Sequence, residues 1–371
     1  MSMKRADKLN QFVKAAVTRT LEFEFERMPY RLEEVSSKKL LTLLRSELDY
    51  LREKTPSPWY PWQLQVEPSA ACSLKCPLCP SGTDTSASAQ RFMPFPMFRD
   101  LIDEVGDHVV ICVFWMWGEP MLNRKLPDMI AYARSKNIGT VTSTNGQHIQ
   151  TVEEAETLVR SGLDNLVVAI DGATQETYGK YRVGGDLQKI FRCLEMLKQA
   201  KESLGSTTPK VNVRTVVTKN NEHELPEIER IASQYGADWV SRKTASALDH
   251  SDLELRDDYV PSNTHYRRFI YKDGKRVRMP ASHFRCRRAW KRITLASDGT
   301  VLPCEFDCEK TTPFGKYGEG SSFMQIWKGE QAEAFRRQFL TDRMVNKFCA
   351  YCPSRDRIQR ECTIEIESLK S

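Results

Sequence analysis

Between residues 63 and 243, short apolar runs alternate with segments of helical periodicity, and nothing else in the chain constrains the fold as tightly. The runs QLQVEPS (63–69), VVICVFWMW (109–117), TVTST (140–144), NLVVAI (165–170), KVNVRTVV (210–217) and DWVSRK (238–243) are predicted strands. Helices are predicted near 95–105, 124–136, 152–162, 186–203 and 223–235. Strands separated by helices pair in parallel through right-handed crossovers, which makes this an α/β protein. An open doubly wound sheet and a partial barrel both satisfy the pattern, and in either one chemistry belongs at the C-terminal ends of the strands. The unusual residues fall there. A cysteine loop follows the first strand, Trp117–Pro120 the second, Asn145–Gly146 the third and Asp171–Gly172 the fourth.

The flanks read differently. Residues 1–54 are predicted to be helical, with Leu40, Leu41, Leu43, Leu44, Leu48 and Leu51 forming one apolar stripe. The segment KTPSPWYPW, with Pro56, Pro58 and Pro61, then breaks the helix. Four regions result: an N-terminal helical extension (1–60), the α/β core (61–244), an acidic-then-basic connector (245–285) and a small cysteine-rich domain (286–371). The last is rich in Gly, Pro and Cys, so a small core that needs metal to hold it is expected.

A chain of 371 residues exceeds the usual single domain, in keeping with one large unit and a smaller one. No apolar run approaches the roughly 20 residues that span a bilayer. The N-terminus lacks the apolar core and cleavage site of a secretory signal, so a cytoplasmic protein without a membrane partner is expected. Net charge is modest at 55 − 49 = +6, but from Arg267 to Arg292 eleven Lys and Arg face only Asp273. That stretch reads as a solvated face or as charge balance for an anionic cluster. An anionic small-molecule substrate is the sharper alternative. No nucleic-acid-binding signature accompanies it, so no nucleic acid is expected as a partner.

Eleven cysteines in such a chain argue for metal or redox chemistry rather than disulfides. Cys72-Ser-Leu-Lys-Cys76-Pro-Leu-Cys79 is a C-x3-C-x2-C loop directly after a predicted strand. Three thiolates on one short loop can hold three irons of a cubane and leave the fourth without a protein ligand. An open iron is useful only where a substrate or cofactor binds it. A zinc loop completed by a distant residue is the plainer alternative. Cys286, Cys304, Cys349 and Cys352 are four more thiols that could close a site completely, around either a cluster or zinc. Cys112, inside a strand, and Cys193, inside a helix, read as core thiols.

The C-x3-C-x2-C loop after the first strand resembles the signature of radical S-adenosylmethionine (SAM) enzymes, and the resemblance extends through residues 63–244. It implies a partial (β/α)6 TIM-like barrel, a 4Fe–4S cluster on Cys72, Cys76 and Cys79, and SAM as cofactor. Trp117-Gly118-Glu119-Pro120 resembles the family's Gly-Gly-Glu-Pro motif, which holds the SAM amino group, with Trp117 in place of the first glycine. Ser143 and Thr144-Asn145-Gly146 fall on the segment that contacts the SAM ribose. Ala169-Ile170-Asp171-Gly172-Ala173 with Arg182 is similar to a Ser-x-Asp-Gly-Ala…Arg pattern in one branch, and Leu78 stands where many members have an aromatic residue. Arg182 and Arg214 are candidates to meet the SAM carboxylate or an anionic substrate, or to form salt bridges. The resemblance further implies that SAM chelates the open iron and that one electron cleaves its sulfonium. The 5′-deoxyadenosyl radical so formed takes hydrogen from an unactivated carbon.

The C-terminal cysteines, with Asp298-Gly299-Thr300-Val301-Leu302-Pro303-Cys304 and Gln325-Ile326-Trp327, resemble the SPASM extension in its one-cluster twitch form. That implies a second, fully ligated 4Fe–4S cluster on Cys286, Cys304, Cys349 and Cys352. The one-cluster form resembles dehydrogenases of aminocyclitols, so oxidation or epimerisation of a small sugar-like metabolite is the first expectation. Cys308 is then a candidate hydrogen-atom donor, and a buried packing thiol is the plainer reading for it. Cys362 has no assigned role. A maturase that crosslinks or epimerises a ribosomally made peptide is the second expectation, against which the all-helical reading of residues 1–60 counts. A non-catalytic electron-transfer or regulatory protein is the third. A flavodoxin or ferredoxin is the electron donor that the resemblance implies.

Overall fold

The computed structural model describes residues 13–52, 55, 59–83, 92–245, 257–267, 269–273, 275–278, 286, 288–318, 320–342, 346–350, 352 and 363–369. Six parallel strands lie side by side in chain order: β3 (Gln63–Val66), β4 (Ile111–Phe114), β5 (Gly139–Thr144), β6 (Asn165–Ala169), β7 (Lys210–Val217) and β8 (Trp239–Thr244). A doubly wound sheet reverses its strand order at a switch point. This one never does, so the partial barrel is the arrangement formed. The helices between strands begin on start signals, a side-chain cap in some and a first-turn Pro in others. Thr151 caps Val152–Arg160 in a full capping box with Glu154, and Asp186 caps Leu187–Ser203.

The C-terminal region extends the same sheet on both sides. Strand β9 (Arg292–Leu295) pairs in parallel with β3 and carries β10 (Thr300–Leu302) and β11 (Gly315–Lys316) outward, while β12 (Thr363–Ser368) pairs antiparallel with β8. Both edges of the six-stranded unit are thereby covered, which removes two open pairing surfaces. The small separate core expected for residues 286–371 is not what forms. Trp290, Ile293, Val301, Phe314, Phe323, Trp327 and Phe339 join one continuous cluster with Leu64, Phe98 and Phe114 of the barrel and its helices.

The N-terminal extension also departs from the all-helical expectation. A hairpin of β1 (Leu21–Phe25) and β2 (Met28–Leu32) precedes the helix Ser37–Leu51. Its alternating burial is the period-2 signature of strands, but each run is only five residues long, with Glu22, Glu24 and Arg31 on the exposed side. The two-residue turn puts Glu26 (φ 49°) and Arg27 (φ 65°) in the left-handed region, where glycine or asparagine is usual, so the turn carries no sequence flag.

The hairpin fills the barrel from inside. Strand side chains alternate, so Leu64, Val66, Cys112, Phe114, Leu166 and Val168 face the helices. The other set, Ile111, Val113, Val141 and Val167, meets Met28 and Tyr30 of β2, with Phe23 and Phe25 of β1 alongside. Phe25 lies 6.2 Å from the Trp115 ring, just past the end of β4, so the turn reaches the C-terminal end of the barrel. The following helix turns a polar face inward, where Lys39 Nζ donates to the carbonyls of Val109 (2.7 Å), Lys136 (2.9 Å) and Asn137 (2.7 Å). Leu41, Leu44 and Leu51 of the leucine stripe remain 42%, 42% and 48% exposed. Among the described residues no helix is long and apolar enough to cross a membrane.

Candidate active site and cluster cradles

The cysteine loop leaves β3 and folds back across the C-terminal ends of the strands. Cys79 N–H donates to Cys76 O (3.1 Å), and Gly82 N–H to Cys79 O (2.9 Å), which curls the loop on itself. Two side chains and one backbone carbonyl from later segments converge on it. Asn145 Nδ2 lies 3.8 Å from Cys72 Sγ and 3.5 Å from Ser73 Oγ, Arg182 Nη1 lies 3.8 Å from Cys76 Sγ, and Cys79 Sγ lies 3.8 Å from Trp117 O. His148 Nε2 contacts Ser73 Oγ at 2.9 Å, a link with no signal in the sequence. Leu78 packs with Tyr181, Tyr259 and Val260, so part of the connector covers the loop.

The segment after β4 lies directly on the residues before the loop. A Cβ at Gly118 would stand 1.9 Å from Ser69 O, so only glycine fits there. Glu119 is buried and accepts from Asn145 N–H (2.7 Å), Thr144 Oγ1 (2.9 Å) and Met121 N–H (3.1 Å). Burial pushes its carboxyl up to about 7 despite those bonds. Ser143 shares the lumen-facing side of β5 with Val141. Asp171 is buried, pairs with Arg182 and accepts from Val216 N–H at 2.6 Å. Arg214 does not join this group. It points into the barrel, where Nη1 donates to Glu26 on the hairpin turn (2.6 Å) and Nε to Ser241 (3.0 Å). Nη2 is buried without a hydrogen-bond partner.

The C-terminal thiols gather around Arg288. Its Nη1 lies 2.9 Å from Cys304 Sγ and 2.8 Å from Glu305, and Cys286 and Cys352 are near enough to act on its charge. Burial opposes the Arg288 cation, yet Cys304 and Glu305 hold its pKa well above the usual arginine range. Burial likewise works against ionised Glu305, but Arg288 and Arg292 outweigh it and take the carboxyl down to about 2. Cys352 N–H donates to Cys349 O at 3.4 Å, placing those two thiols on one turn. The end of the basic run, Arg288, Lys291 and Arg292, is thus internal charge balance: Lys291 pairs with Glu47, and Arg292 with Glu305 (3.3 Å) and Gln65. Cys308 sits half-buried four residues beyond Cys304, its thiol pKa raised by burial. Cys112 and Cys193 are fully buried core thiols, and Cys362 lies outside the described residues.

The donor sets suit clusters. Every cysteine among the described residues is a free thiol. Burial pushes Cys79 up to about 11 and raises Cys72, Cys76 and Cys304, so ionising them calls for cations such as cluster irons. Among the described residues no three His, Cys, Asp or Glu side chains converge on a single-ion site. A cubane does not require that, because each of its thiolates binds a separate iron.

A partial barrel with three thiols on the loop after its first parallel strand, joined to a four-thiol extension, defines an iron–sulfur enzyme of the SAM-dependent radical type. Comparison with known proteins agrees. Residues 66–232 match the Radical SAM superfamily, and residues 286–353 match an iron–sulfur cluster-binding domain, SPASM. The chain belongs to the radical SAM superfamily, uses SAM and 4Fe–4S clusters, and carries a SPASM domain. It is 27% identical over 319 residues to mycofactocin maturase MftC of Mycolicibacterium smegmatis, spanning 81% of this chain and 76% of the maturase. It is 25% identical to the tungsten-containing aldehyde ferredoxin oxidoreductase cofactor-modifying protein of Pyrococcus furiosus, across 82% and 90% of the two chains. Among solved structures, Streptococcus suis SuiB bound to precursor peptide SuiA superposes with a TM-score of 0.58 at 15% identity, over 94% of this chain and 81% of SuiB.

Proposed function

We propose that this radical SAM enzyme matures a peptide, taking hydrogen from a residue of a ribosomally made substrate to crosslink, oxidise or epimerise it. The observation that carries this reading is the alignment with a maturase along 81% of the chain. Residues 21–51 hold a hairpin and a helix rather than an all-helical segment, so the N-terminus does not count against a peptide substrate.

In this reading Cys72, Cys76 and Cys79 hold the SAM-binding cluster, and Cys286, Cys304, Cys349 and Cys352 hold the second. Bound there, cluster and SAM supply a 5′-deoxyadenosyl radical once one electron arrives, from a flavodoxin or ferredoxin. Glu119 and Gly118 take the SAM amino group, with Ser143 and Asn145 on its ribose side. Arg182, fixed by Asp171, sets positive charge beside Cys76. The lumen below is floored by the hairpin, and Arg214 Nη2 offers a donor toward an oxygen of the substrate. Cys308 is a hydrogen donor for the epimerising variant.

The test is to incubate the reduced, SAM-loaded enzyme with small peptides encoded beside its gene and to read their mass. The expected result is loss of two hydrogens, or deuterium uptake at one α-carbon in D2O, in step with 5′-deoxyadenosine. Unchanged peptides, with turnover of sugars or aminocyclitols instead, would restore the small-metabolite reading.

A further inference from the structure

Trp117 is a departure from the family's Gly-Gly-Glu-Pro motif that the site described so far leaves without a purpose. Glycine would serve the backbone role of that position, and the indole does something glycine cannot. Its Nε1–H donates to Glu305 O at 2.8 Å, across 188 positions of sequence. Glu305 follows Cys304 directly. At its other end, Trp117 O lies 3.8 Å from Cys79 Sγ. The ring packs with Met116, Ala296 and Leu302 and lies 6.5 Å from Phe306. One residue therefore touches both cradles, the three-thiol loop through its carbonyl and the four-thiol domain through its indole.

We propose that Trp117 couples the two clusters electronically and fixes their separation. The inference rests on the cluster assignment above. The route runs from Cys79 Sγ across one contact to the Trp117 carbonyl, through the side chain, and across one hydrogen bond to the backbone of Glu305 and Cys304. Bonded and hydrogen-bonded paths carry an electron better than gaps, and hydrogen bonding around cluster ligands also tunes their potentials. In the step itself one cluster goes from the 1+ to the 2+ state while the other goes from 2+ to 1+. One electron moves and no proton does. A second, longer link runs alongside: Gln65 Nε2 donates to Trp115 O at 2.8 Å, and Gln65 also binds Arg292, the partner of Glu305. This link holds the loop in place when Trp117 is changed conservatively.

The test compares wild type, Trp117→Phe and Trp117→Gly by freeze-quench electron paramagnetic resonance after rapid reduction with dithionite, without substrate. Phenylalanine keeps the ring and loses the N–H, while glycine restores the family residue. Iron content and the SAM-induced change in the cluster signal are measured alongside. With about eight irons retained, electron equilibration between clusters is expected to slow by roughly 10–100-fold, the size of effect outer-shell partners of metal sites have on affinity and activity. The glycine variant is expected to be the slower of the two. Wild-type equilibration in both variants would overturn the proposal. So would loss of the second cluster in Trp117→Phe, which would make the residue a structural prop only. A wild-type protein without two clusters would instead defeat the cluster assignment.

Discussion

The two cysteine cradles are built on opposite plans. The first is local: three thiols within eight residues, on a loop pinned by the ends of β4, β5 and the segment after β6. The second is assembled from afar, with Cys286 and Cys352 separated by most of the C-terminal region, and Arg288 stands at its centre. Around the first, Glu119 is buried and spoken for by backbone and hydroxyl donors. Around the second, Glu305 and Arg288 neutralise one another beside a thiol. An open site needs a loop that leaves one corner of the cluster free, and a closed one needs four ligands brought together by the fold. The difference teaches that the first cradle is laid out as an open site and the second as a closed one.

The sharpest break between them should come from single thiols. Cys76→Ala is expected to abolish 5′-deoxyadenosine release and to leave about four irons in the second site. Continued release would end the distinction. Cys304→Ala should do the reverse, keeping SAM cleavage while product formation is lost, as read by parallel assays of 5′-deoxyadenosine and of substrate mass.

Glu119 sharpens the comparison through pH. Burial favours its neutral acid, so the folded protein keeps this proton up to about pH 7, above the ordinary carboxylate range. Its contribution to stability therefore declines as pH rises from that range through about 7. SAM carries an ammonium group, so SAM affinity should strengthen as pH passes upward through the same window. Titration of SAM binding against pH should show that slope, and Glu119→Gln should flatten it. Smaller effects belong to the supports. Arg288→Ala should cost about 1.5–3 kcal/mol by chemical denaturation, as for a hydrogen bond to a charged group, and lower the potential of the second cluster only. Smallest is Cys308→Ala, which should leave SAM cleavage intact and change the product profile only if that thiol returns hydrogen. An unchanged profile assigns it to packing.

How legible this was in the sequence followed periodicity and spacing. The six barrel strands and five intervening helices lie within about two residues of their expected places at most ends, because each is a long repeat of one period bounded by caps or turns. The three-thiol loop was equally plain. The hairpin was hidden because Glu26 and Arg27 occupy positive φ without a glycine, and because Glu22, Glu24 and Arg31 on its outward side are charged. The leucine stripe misled in another way: Lys39, Thr42, Ser46 and Asp49 are buried instead, and the acceptors of Lys39 lie far away in sequence, at Val109, Lys136 and Asn137. Arg214 was readable as a charged strand residue but not as the partner of Glu26, 188 positions earlier. The Trp117–Glu305 bond was beyond reach for the same reason. Spacing within a loop is written in the chain, whereas contacts between distant segments are written only in the fold.

The most direct test of an open cradle beside a closed one is electron paramagnetic resonance of the reduced, iron-reconstituted protein with and without SAM. SAM is expected to shift the signal of the cluster on Cys72, Cys76 and Cys79 and to leave that of the second cluster unmoved. A protein whose two signals both ignore SAM, or both respond to it, would contradict the account.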